Sequence, residues 1–346
     1  MAKTYFRATG LCYGADAEQL IARHIAGRLG GSPSIGFTAV ECIARDSASV
    51  NREFLSYADA AKLAPLQFIE APRGAFGAIA LDGPKIMGIV NVTPDSFSDG
   101  GQQGTAETGM RLALDGAHIL DVGGESTRPG SEAVPAEEEL SRVIPIIRRL
   151  RAEGHVISVD TRKAVVMQEA VKAGAQIVND VSALQYDPDS LSVVAELGCP
   201  VVLMHAQGDP RTMQLNPHYD DVALDVYDHL EARIEACVAA GIPRSRIAVD
   251  PGIGFGKTFR HNIELLSQIT LFHGLGVAVL AGLSRKGFVG ALTGEKIAGN
   301  RVHGSVGGAV HAVLHGVHIL RVHDVKATSE ALAVAMASVD PRSAEF

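Results

Sequence analysis

Residues 86–101 read IMGIVNVTPDSFSDGG, and the reading of this stretch decides the fold. Ile86-Met87-Gly88-Ile89-Val90 is a short apolar run with the length and β-branched content of a buried strand. It stops at Asn91 in a loop of amides, hydroxyls and carboxylates, where Pro94 and Gly100-Gly101 forbid a helix. Asn91, Thr93, Asp95, Ser96, Ser98 and Asp99 are oxygen-bearing groups that can hold a polar ligand or a cation.

The same unit recurs downstream: a short apolar strand, a polar or Gly-rich loop, then an amphipathic helix. Strands are expected near 86–90, 118–122, 156–160, 176–179, 200–204, 247–249, 277–282 and 318–322. Between them lie helical patterns such as 219–240, where Val222, Val226, Leu230, Ile234 and Val238 form an i, i+4 stripe suited to burial against a sheet. Eight βα units in this length are the count for an α/β (β/α)8 TIM barrel, whose ligands bind at the C-terminal ends of the strands. Chemistry should then cluster after each strand, and it does: Asn91, Asp121 to Arg128, Asp160, Asn179-Asp180, Met204-His205, Asp250 to Lys257, Gly282 to Lys286 and Arg321 to Asp324. The opposite junctions, at Gly116, Gly174, Gly198 and Gly316, read as helix C-caps.

The chain divides into residues 1–82, a small α+β N-terminal appendage of unknown function, and residues 83–340, the barrel. In the appendage a helical pattern covers 15–29, a strand-like run 35–43 and a second helical pattern 51–63, with breaks at Gly30-Gly31 and Pro33. The 346 residues carry 31 basic against 39 acidic side chains, a net charge of −8, with no long basic run, which argues against nucleic acid and anionic membranes as partners. The apolar run Val277–Ala281 is far too short to span a bilayer. Four scattered cysteines without CxxC spacing, and no apolar leader at the N-terminus, point to the cytoplasm.

Asp160, Asn179 and Asp250 come from three strands and should converge on the barrel mouth. Carboxylates and an amide so placed suit the N–H and NH2 edge of a flat, nitrogen-rich heterocycle; Lys286 supplies the opposite charge. Arg321 and His323, two apart at the end of a strand, share a face and with Asn91 suit an oxyanion or phosphate clamp near strands 7 and 8. Asn91 and Asp99 are the expected Mg2+ contacts, and residues 94–101 and 127–130 read as two lids. Other motifs fail. Pro251 stands where a P-loop needs its first Gly, and Lys257 where a dinucleotide fingerprint needs its third. His311 and His315 have helical i, i+4 spacing without HExxH, and no Cys has a neighbouring base.

IMGIVNVTPDSFSDGG at 86–101, ILDVGGESTRPGS at 119–131, ISVDT at 157–161, DPGIGFGK at 250–257, GLSRK at 282–286 and RVHDV at 321–325 closely resemble the dihydropteroate synthase family, in that family's order. The resemblance implies a transferase of folate biosynthesis that condenses 6-hydroxymethyl-7,8-dihydropterin pyrophosphate with para-aminobenzoate, with Mg2+, as a homodimer. By matching positions, Asp160, Asn179, Asp250 and Lys286 would bind the pterin, with Met204, Phe255 and Gly282 shaping its pocket. Asn91, Thr127, Arg321 and His323 would hold the pyrophosphate, Asn91 and Asp99 lying near Mg2+. Phe97, Thr127, Arg128 and Pro129 would complete the para-aminobenzoate site. Alternatives are a related methyltetrahydrofolate-binding methyltransferase domain, or a non-catalytic pterin-binding subunit. Three departures stand out: Gly287 where the family usually has a Ser expected at the para-aminobenzoate carboxylate, a Gly-rich helix at 304–309, and the appendage.

Overall fold

The computed structural model describes residues 2–63, 66–92, 101–126, 131–208 and 212–343. Eight parallel strands close a barrel in which the last returns to pair with the first. They are β7 (Lys85–Asn91), β8 (Ile119–Gly123), β9 (Ile157–Asp160), β10 (Ile177–Asp180), β11 (Val201–Met204), β12 (Ile247–Asp250), β13 (Ala278–Ala281) and β14 (Ile319–Val322). All eight expected strands are present. Because side chains alternate along a strand, each strand feeds two cores. Leu120, Val122, Val159 and Val201 face the helical layer, meeting Val143, Ile147, Val166 and Met167. Met87, Ile119, Ile177, Val202, Leu280 and Ile319 fill the interior.

The helix of the i, i+4 stripe runs Val222–Ala239, and Val222, Val226, Leu230 and Ile234 are buried in it. Val238 is exposed and Cys237 takes the inward place, since each four-residue step turns the stripe by about 40°. Helices Ala164–Ala173 and Ser190–Leu197 end on left-handed Gly174 and Gly198, a backbone region that glycine enters without a Cβ clash.

The N-terminal residues form an antiparallel sheet of β1 (Lys3–Tyr13), β2 (Gly27–Arg28), β3 (Ile35–Arg45) and β4 (Val50–Ser56), with helices Gly14–Ala22 and Tyr57–Leu63. Two expectations are corrected here. Residues 51–56 are strand, because β4 pairs residue by residue with β3 from Ala39↔Ser56 to Arg45↔Val50; local helical spacing yielded to this tertiary pairing. The helix at 15–29 stops at Ala22 because Gly27–Arg28 joins the sheet. β1 carries no clear alternation and was not legible.

This sheet docks on the barrel's outer layer. The Tyr5 hydroxyl lies 2.9 Å from both carboxylate oxygens of Asp228, and Lys3 bridges Asp228 and Glu231 at 2.5 Å each. The Tyr5 ring meets Tyr227 edge-on at 5.3 Å, and Thr270 donates to the Ala8 carbonyl at 2.8 Å. A hairpin of β5 (Ala75–Phe76) and β6 (Ile79–Ala80) follows. Although it precedes residue 83, it belongs to the barrel by packing: Phe76 is fully buried in the interior core beside Met87 and Ile319, closing the N-terminal end.

Candidate functional site

The opposite end is open. A cavity of about 1310 Å3 lies at the C-terminal ends of the strands. Among its lining residues are Asn91 from β7, Asp160 from β9, Asn179 from β10, Met204 from β11, Asp250 from β12 and Arg321 from β14, with Phe255, Gly282, Lys286, Gly287 and His323 from the following loops. The structure thus brings every described residue of the expected site to one cavity. Phe97, Asp99, Thr127, Arg128 and Pro129 lie outside the described residues.

Arg321 organises the floor. Its Nη2 donates to Asp160 Oδ2 at 2.6 Å and its Nε to Asp121 Oδ2 at 2.6 Å, while Asn179 Nδ2 donates to the same Asp121 oxygen at 3.1 Å. Burial raises the Asp160 carboxyl to about 7; Arg321 opposes that rise, and the carboxylates of Asp121, Glu139 and Asp180 add to it. The Arg321 guanidinium is itself raised: burial works against its charge, and Asp121 and Asp160 outweigh the burial. Asp121, fully buried on β8, was seen in the sequence only as a polar strand end. Its place in the ILDVGGE block, two residues before the strand's end, was the available signal.

A second charged group lies across the cavity. Asp250 Oδ1 accepts from the Gly252 N–H at 2.8 Å, and burial raises its carboxyl pKa against the opposing Lys286. Gly252 has φ +68°, and a Cβ there would lie 1.8 Å from the His205 carbonyl oxygen, so only glycine permits this turn. Lys286 donates to the Ile253 carbonyl, and its ammonium sits 4.8 Å from the Phe255 ring centroid, a cation–π arrangement. Burial lowers Lys286 to about 8 although Asp250 favours its charge.

Lys257, rejected as a P-loop lysine, has another place. It is 2% exposed, donates to Gly252 and Phe255 carbonyls at 2.9 and 3.0 Å, and lies 2.9 Å from His205 Nδ1. Burial and the neighbouring Lys257 lower His205 to about 2, so the imidazole stays neutral. Lys257 therefore ties together the loop that carries Phe255 and the acceptor of Lys286. His323 is fixed through Ser284, whose Oγ lies 3.2 Å from its N–H and 3.1 Å from its Nδ1.

An ionic anchor with no motif of its own lies at the cavity edge. Glu125 accepts from Arg162 at 2.6 Å and from Lys163, and Lys163 also reaches Glu139 at 2.5 Å. The Arg162 guanidinium lies 3.9 Å from the Tyr186 ring centroid. This holds the chain just before residue 127. As for a metal, no group of three or more His, Cys, Asp or Glu suited to an ion exists among the described residues. Asn91 places an amide at the cavity, and Asp99 lies outside the described residues.

The pterin-binding enzyme family matches residues 87–323. Dihydropteroate synthase of Haemophilus influenzae is 46% identical over 262 residues, 74% of this chain and 94% of that protein. The chain belongs to the dihydropteroate synthase family. The Escherichia coli K12 member is 45% identical over 270 residues, 77% of this chain and 95% of that protein. A solved Xanthomonas albilineans dihydropteroate synthase with 4-aminobenzoic acid superposes with a TM-score of 0.72 at 51% identity, covering 77% of this chain and 96% of the other. The enzyme from that organism in complex with 7,8-dihydropteroate gives 0.68 at 45% identity, with the same coverage. The family match begins after the N-terminal sheet.

Proposed function

We propose that this chain condenses 6-hydroxymethyl-7,8-dihydropterin pyrophosphate with para-aminobenzoate to give 7,8-dihydropteroate and pyrophosphate. The observation that carries the reading is the two-sided floor of one cavity: Asp160 and Asn179, linked through Arg321 and Asp121, face Asp250 and Lys286. The pterin's N–H and NH2 edge is bound by Asp250 and Asn179, and the Lys286 ammonium donates to its carbonyl and ring-nitrogen acceptors. Met204 and Phe255 cover its faces, and Gly282 leaves free the space beside Lys286 Nζ and Asp250 Oδ2, which a Cβ there would approach to 3.6 and 3.7 Å.

The bond between the exocyclic methylene carbon and the diphosphate oxygen breaks, both electrons leaving on oxygen. Ionised Asp160 stabilises the positive charge that spreads into the pterin, and Arg321, His323 and Asn91 bind the departing anion. Asn91 and Asp99 would be the protein oxygens that hold Mg2+, which would supply further neutralisation of the diphosphate charge. The neutral aniline nitrogen then forms the C–N bond and releases its proton to water, so no strong general base is needed. Phe97, Thr127, Arg128 and Pro129 complete the amine side, with Thr127 also at the diphosphate.

The residues described hold no helix long and apolar enough to cross a membrane, and all four cysteines are unpaired thiols; both accord with the cytoplasmic placement we propose. The homodimer is the family-based part of the proposal and is read by sedimentation. The test of function is direct: purified protein, Mg2+, the pterin pyrophosphate and para-aminobenzoate release pyrophosphate and form 7,8-dihydropteroate. Absence of both products at every amine and Mg2+ concentration refutes the reading.

A further inference from the structure

The cavity rim beside Lys286 has an unusual composition. Gly287 opens the short helix Gly287–Thr293, and Phe259 opens the helix Phe259–Ser267; both line the cavity. A Cβ at Gly287 would lie 3.2 Å from Phe259 Cε1 and 3.6 Å from Cζ, so the ring already occupies the space a side chain would need. Phe259 is nevertheless 55% exposed, an aromatic face turned to the mouth instead of a core. The backbone that carries it is held from behind, since Thr258 Oγ1 accepts from the His261 N–H at 3.1 Å and the His261 ring accepts from the Thr258 N–H at 3.3 Å.

The two cations that precede Gly287 in sequence are already engaged. Arg285 makes a two-point ion pair with Asp324 at 3.0 and 2.5 Å, and Lys286 donates to the Ile253 carbonyl. The rim at Gly287 thus offers an exposed aromatic surface, with neither a side-chain hydroxyl nor a cation from its neighbours in sequence. An aryl ring gains by offset or edge contact with such a surface, whereas an anionic substituent gains little there.

We propose that Phe259, seated against Gly287, is the aryl-contacting wall of the amine subsite and makes that subsite tolerant of the amine's para-substituent. The proposal rests on the condensation reading, because the amine must approach the pterin methylene from the open mouth. An uncharged aniline such as 4-aminobenzamide is then accepted alongside 4-aminobenzoate. A side chain at 287 adds selectivity for the charged amine only once the Phe259 ring is removed.

The experiment compares wild type with Phe259→Ala, Gly287→Ser and the double variant, using 4-aminobenzoate and 4-aminobenzamide. In wild type the two kcat/KM values lie within about tenfold. Phe259→Ala raises KM for both amines by about two- to tenfold, with the KM for the pterin pyrophosphate and the melting temperature unchanged. Selectivity for the charged amine rises more in the double variant than in either single one. An unchanged amine KM in Phe259→Ala, a wild-type preference for the carboxylate of about 100-fold or more, or a double variant no more selective than Gly287→Ser overturns the proposal. Calorimetric titration of each amine in the presence of 6-hydroxymethylpterin and inorganic pyrophosphate separates the two readings. Binding that depends on Phe259 without turnover refutes the condensation and keeps the wall, and binding indifferent to Phe259 refutes the wall alone.

Discussion

Arg321 Nη2 and Asp160 Oδ2 stand 2.6 Å apart, yet the carboxyl is held near neutrality instead of being driven strongly acidic. Burial and the surrounding carboxylates outweigh the single guanidinium, so a group assigned to a developing cation changes charge within the physiological range.

The pH dependence follows. If Asp160 must be ionised and Lys286 charged, kcat/KM for the pterin pyrophosphate rises through about 7 and falls through about 8, a narrow bell. Asp160→Asn removes the acidic limb and lowers kcat by about 10²- to 10³-fold, which a rate profile from pH 5 to 10 measures. An acidic limb that survives in the variant assigns it to another group.

Removing Asp121 should act twice. Its carboxylate holds Arg321 Nε at 2.6 Å, so Asp121→Ala leaves a partly buried guanidinium with Asp160 as its remaining carboxylate and costs about 1–3 kcal/mol in denaturant unfolding. Because Asp121 helps raise Asp160, the acidic limb of the rate profile also moves to lower pH. A loss of stability with an unmoved limb breaks that electrostatic link.

Lys257→Met should separate stability from binding. The ammonium is buried among carbonyls and a neutral imidazole, and burial lowers its pKa well below the ordinary lysine value. An apolar side chain of similar length removes that desolvation. The melting temperature holds or rises, while KM for the pterin pyrophosphate increases by about tenfold because the loop holding Phe255 and Ile253 loosens. An unchanged KM shows that the loop keeps its shape unaided.

Phe76→Ala opens a void at the barrel's closed end. The ring is fully buried, so truncation costs about 3–5 kcal/mol, read from the urea midpoint. The substrate KM values stay unchanged because the void lies at the end opposite the cavity.

The barrel was legible because its strands are buried on both faces and so read as short apolar runs, and because βα topology fixes which end of each run carries chemistry. Strand-end residues such as Asp160 and Asp250 were therefore found by position. Asp121 was passed over because its role lies in contacts to Arg321 and Asn179 from remote strands, and Lys257 because its partners are backbone carbonyls that no residue pattern advertises. The N-terminal sheet was read poorly. Every residue of β4 except Leu55 is exposed, so no buried face imposed alternation on its sequence, and its pairing with β3 could not be inferred locally.

The dock between Tyr5 and Asp228 spans 223 positions of the chain. During synthesis from the N-terminus the sheet of β1–β4 leaves the ribosome long before the helix that covers it. At about 5–20 residues per second this leaves roughly 10–45 s in which Tyr5 and its neighbours have no surface to rest on. The barrel waits in a similar way, since β7 meets β14 only when Ile319 pairs with Lys85. Docking of this sheet and closure of the ring thus both wait on segments made later than the ones they complete.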